Sequence, residues 1–78
     1  MNKLELKEAN QQYVIYLYRP ENNGTYGEIY MNIGDDEAVV VSRASDDNAG
    51  RYAFKATKAV AECVKERNFP LEFTQAWV

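Results

Sequence analysis

Few residues in this 78-residue chain could do chemistry. It has no histidine and one cysteine, Cys63. That removes imidazole acid–base catalysis, a Cys–His nucleophile, the common nitrogen–sulfur zinc sites and any internal disulfide. A general base would have to be a carboxylate, a lysine or a tyrosine held in a cleft. Glu28 and Tyr30 come nearest, but their spacing is ordinary alternation along a strand. Cys63 falls on the apolar side of an alanine-rich segment, where a thiol behaves as a small hydrophobe. Asp35-Asp36-Glu37 and Asp46-Asp47 lack the spacing of a calcium loop and suit turns and helix capping instead. No glycine motif for phosphate is present. The chain reads as non-catalytic, with no metal or cofactor.

The elements that must position the remaining candidates follow from periodicity. Leu4 and Leu6 alternate with Lys3, Glu5 and Lys7, which predicts a short first strand, with a frayed helical turn as the alternative. Tyr13–Arg19 is aromatic and β-branched, the chemistry of a strand. Pro20 stops it, and Asn23-Gly24 offers the positive φ that a reversing loop needs. Glu28–Ile33 alternates again, Gly34-Asp35-Asp36 is a turn, and Glu37–Arg43 contains three valines.

The period then changes. Ser45, Asp46 or Asp47 caps a helix whose apolar side holds Tyr52, Ala53, Ala56, Ala59, Val60, Cys63 and Val64. Arg67 or Asn68, followed by Pro70, ends it. Leu71–Val78 forms the last strand. The predicted class is α+β: a mainly antiparallel sheet in the order β-β-β-β-α-β, with one helix packed on one face of a single domain, residues 1–78. The last strand lies parallel beside the fourth, antiparallel beside the first, or on a partner chain.

If the helix packs on Ile15, Leu17, Ile29, Met31, Ile33, Val39 and Val41, alternation sends Val14, Tyr16, Tyr18, Tyr30 and Val40 outward. Such a face is too apolar for a solvated surface and marks a partner contact. In the competing reading the register differs, and the tyrosines lie partly buried with their tips in water. Phe54 leaves the buried stripe, either to pack near Trp77 or to touch a partner. Arg51, Lys55 and Lys58 form a solvated row on the outer helix face.

Net charge is −3, from 9 basic and 12 acidic residues. An acidic chain gains little from counterion release, which argues against nucleic acid as a partner. Single-strand binding by stacking on sheet tyrosines is the alternative, against which stand the acids of the same sheet. No run is long and apolar enough to predict a membrane span or a signal peptide. A cytoplasmic setting is expected, with Cys63 as a free thiol. The expected role is protein interaction: a homodimer, or a complex with another protein, through the outward face or an edge strand such as Leu71–Val78.

Overall fold

A computed structural model describes residues 1–77. Strands β1 (Asn2–Ala9), β2 (Tyr13–Pro20), β3 (Gly27–Asn32) and β4 (Val39–Ser42) precede helix α1 (Arg51–Glu66), and β5 (Glu72–Gln75) follows it. They form a five-stranded sheet in the order β4-β3-β2-β1-β5, every neighbouring pair antiparallel. This is the predicted α+β class, and β1 is a full strand. The last strand takes the second of its expected places, antiparallel beside β1. It is shorter than the predicted Leu71–Val78, and Val78 lies outside the described residues.

The helix is written in the sequence as expected, with one change at its start. Its buried side is Ala53, Ala56, Val60, Cys63 and Val64. Gly50, at φ 72°, occupies the N-cap position without a side chain to offer. Asp47 supplies the cap from three residues earlier, its carboxylate accepting the backbone N–H groups of Tyr52 (3.2 Å) and Ala53 (2.8 Å). At the other end Arg67 adopts the left-handed conformation, and the N–H groups of Arg67 and Asn68 reach the carbonyls of Val64 and Cys63.

The β2–β3 turn departs from expectation too. The positive φ values fall on Glu21 and Asn22 rather than on Asn23-Gly24. Glu21 is held there: its carboxylate accepts from the terminal amine (2.7 Å) and from the Tyr52 hydroxyl (2.8 Å). Its N–H donates to the Met1 carbonyl (2.7 Å). Those bonds offset the steric cost that an L residue meets in that region.

The largest correction concerns β2. Val14, Tyr16 and Tyr18 are fully buried beneath α1, whereas Ile15 and Leu17 lie on the open face of the sheet. Volume is the reason. An alanine-lined helix sits close but fills little space, so the sheet must contribute large side chains opposite it. Leu4 and Leu6, paired with Tyr18 and Tyr16, complete that layer with Ile29 and Met31. Arg19 fixes the same parity: with Ile15 and Leu17 inward, its guanidinium would have gone under the helix.

Candidate interaction surface

Each tyrosine buried on β2 spends its hydroxyl on a structural bond. Tyr18 donates to Asp47 Oδ2 (3.0 Å) and accepts from the N–H of Ala44 (3.0 Å). Asp47, 2% exposed, thereby joins the middle of β2 to the first turn of α1. Burial raises the Tyr18 pKa from 10.0 to about 12, and the Asp47 bond pushes the same way. The ring occupies the space left by its cross-strand partner Gly27, where a Cβ would lie 2.0 Å from ring carbon Cε1. Tyr16 donates to the Pro70 carbonyl (2.7 Å), packs edge-on against Phe73 and has its pKa raised by burial. These residues are the core of the molecule. The expectation that Val14, Tyr16 and Tyr18 face outward is therefore corrected, and their hydroxyl bonds explain how tyrosine is accommodated inside.

Tyr30 does lie on the open face, opposite Ile15 and Val39. Its neighbours shield much of that face. Tyr13 stacks on Tyr30 with ring centroids 5.3 Å apart, and its hydroxyl donates to Glu8. That carboxylate bond raises the Tyr13 pKa. Lys7 of β1 reaches Glu28 of β3 (3.0 Å), spanning the intervening β2. Its aliphatic stem therefore crosses the Ile15/Leu17 strip. Glu5 with Arg19 and Lys3 with Glu72 extend the charged ladder, and Arg19 lies 4.2 Å over the ring of Tyr26. The second face is apolar at its centre but roofed by its own long side chains.

The exposed apolar area lies elsewhere. On β4, Val39 is 59% exposed, Val40 40% and Val41 57%. Register puts Val40 opposite Ile29, on the helix side rather than the outward side expected of it, and α1 leaves it 40% exposed. Val39 stands opposite Tyr30 on the open side, so the parity of β4 is also the reverse of the expected one. A bulge between the Ile29 and Glu28 pairs interrupts the strand at Val41. Among the described residues only β3 borders β4, which leaves its outer row of backbone N–H and C=O groups unpaired.

Beside this edge, the turn between β3 and β4 and the flank of α1 enclose a groove of about 990 Å3. Ile33, Ala38 and Ala61 line it with Glu37, Lys58 and Phe54. Phe54 is 59% exposed, with the Lys58 ammonium 4.7 Å over its ring. It therefore does not pack against Trp77, which meets Tyr52 instead. The sequence does carry a signal for this surface. Val39-Val40-Val41 is an unbroken apolar run, and a strand with one solvated face would alternate.

The acidic clusters have local partners. Asp46 accepts from the Thr25 hydroxyl, and Asp35 from the Asn32 side-chain amide. Cys63 lies on the buried side of α1, and burial pushes its thiol pKa up. Among the described residues no helix is long and apolar enough to cross a membrane. Among the described residues the fold and surface define a small α+β domain with a helix-covered face, a self-roofed face and a bare apolar edge at β4. The chain matches no family model, no curated protein and no solved structure.

Proposed function

We propose that this chain is a non-catalytic protein-interaction module whose contact site is the β4 edge. One observation carries the reading: the exposed valines Val39, Val40 and Val41 stand on a strand with an unpaired side. An extended segment of a partner protein can add there as a further strand. Its main chain supplies the hydrogen bonds, and the valines supply apolar area. A buried thiol of raised pKa is a poor nucleophile, which supports a non-catalytic role, and a single free cysteine suits the cytoplasm. Nucleic acid is the weaker alternative. The tyrosines of the open face already stack on each other, and Glu5, Glu8 and Glu28 lie among them.

Amide shifts in the labelled protein test the reading, with the neutral peptide Gln-Ala-Val-Val-Val-Ser-Gln as probe. Perturbation confined to residues 37–43 and β3, and abolished by Val39→Lys with Val41→Lys, is the expected result. An unperturbed β4 overturns it. A short oligothymidylate at low salt should leave the Tyr13 and Tyr30 resonances in place; shifts there would favour the alternative.

A further inference from the structure

Resting on the edge-strand reading, we propose that the partner at β4 is a second copy of this chain, paired antiparallel through β4 about a two-fold axis at Val40. Two edge strands related by such an axis meet as one self-complementary patch. In this register Val40 faces its own copy, Val39 faces Val41 of the other molecule, and Glu37 faces Arg43. Each of the last two contacts occurs twice by symmetry.

The flanking charges support this register. Glu37 and Arg43 are both exposed, and neither joins an ion pair among the described residues. Glu37 lines the groove beside α1, and the Arg43 side chain runs past Gly50 at the start of that helix. Opposite charges placed symmetrically about an apolar centre are what an antiparallel self-pairing needs, because each end then meets its complement. A parallel pairing would set like charges against each other.

The seam would join two five-stranded sheets into one of ten, with both helices on the same face. The uncovered strip over β4 in each copy would become a shared cleft, floored by Val40 of both and walled by each Phe54. The strand is four residues long, so the seam falls in the class of small interfaces, below roughly 1,200 Å2. It forms a weak dimer that dissociates on dilution.

Sedimentation equilibrium from micromolar to millimolar concentration gives the first test. The expected mass rises from 9.0 kDa toward twice that value. Glu37→Arg alone and Arg43→Glu alone should each weaken association at least tenfold, since each sets like charges opposite one another. Combining both in one chain should restore it. Mixing the two single variants should form a heterodimer more readily than either self-associates. A wild-type chain that stays monomeric overturns the proposal, as does a double variant that stays weak or a dimer indifferent to all of these changes. The neutral peptide separates the two readings. Peptide binding by a monomeric chain sinks the self-pairing and leaves the edge-strand reading standing, whereas loss of both sinks both.

Discussion

Strand β2 borders two environments, and alternate residues along it show how differently they work. On the helix side, Val14, Tyr16 and Tyr18 have no solvent exposure. There both tyrosine hydroxyls are spent, one on the Pro70 carbonyl and one on Asp47. On the other side, Tyr13, Ile15 and Leu17 are half-buried beneath side chains that remain free to move into water. The first environment is rigid because each polar group has a fixed partner in a close-packed layer. The second is protected by amphipathic stems and exposed ion pairs, which contribute little individually. β4 has only thin cover, its three valines being 40–59% exposed. An open sheet face therefore need not be an interface, and the gap left by a single helix shows at the edge.

Replacing one tyrosine by serine on each side of the sheet separates the two environments. Tyr16→Ser should cost about 4 kcal/mol in urea unfolding, the scale of removing a buried aromatic side chain. That is a large share of the stability of a chain this size. Tyr30→Ser should cost less than about 1 kcal/mol. Equal costs would mean that the two faces do not differ as described.

Gly27→Ala comes next. The added methyl meets a ring that Asp47 and Ala44 hold in place, so a loss of about 3 kcal/mol is expected. A near-neutral result would show that Tyr18 can move. Asp47→Ala should cost about 2 kcal/mol, because it removes the cap of α1 and leaves the buried Tyr18 hydroxyl without its acceptor.

Alkali sharpens the same contrast. The Tyr18 pKa lies near 12 in the folded chain against 10.0 for the free side chain. Above pH 10 the unfolded chain releases this proton while the folded chain keeps it, so the unfolded state binds fewer protons. The Tyr18 contribution to stability is then whole below pH 10 and is lost as pH rises from 10 toward 12. Tyr18→Phe should lessen that fall, measured as the urea midpoint against pH, and leave the part that the buried Tyr16 contributes. An unchanged slope would remove Tyr18 as its source.

The smallest effect belongs to the edge. Val39→Lys with Val41→Lys should change stability by less than about 1 kcal/mol, since both side chains already face water. A large loss would mean that β4 is packed rather than bare.

Much of the fold was legible because its signals are local. The switch from alternation to a 3.6-residue period marked β4 and α1, and the alanine stripe identified the helix face that is buried. Arg67 and Pro70 marked where the helix ends. In the candidate surface only Tyr30 kept its expected side, while Val14, Tyr16 and Tyr18 moved inward and Val40 turned toward the helix side. Two signals pointed to the right β2 register: the parity of Arg19 and the pairing of Leu4 and Leu6 with a large-residue layer. Apolarity alone pointed the other way, because Ile and Leu outrank Tyr on that scale.

The sequence by itself determined the element types, the antiparallel α+β class and the absence of histidine chemistry, since periodicity and composition are properties of the chain alone. Tertiary structure decided which side of β2 is inside, because that depends on the volume left under an alanine helix and on acceptors as distant as Asp47 and Pro70. It also decided that the bare apolar surface is the β4 edge rather than the tyrosine face. A strand becomes an edge only when the whole sheet has been ordered, and that order is set by pairings across the chain.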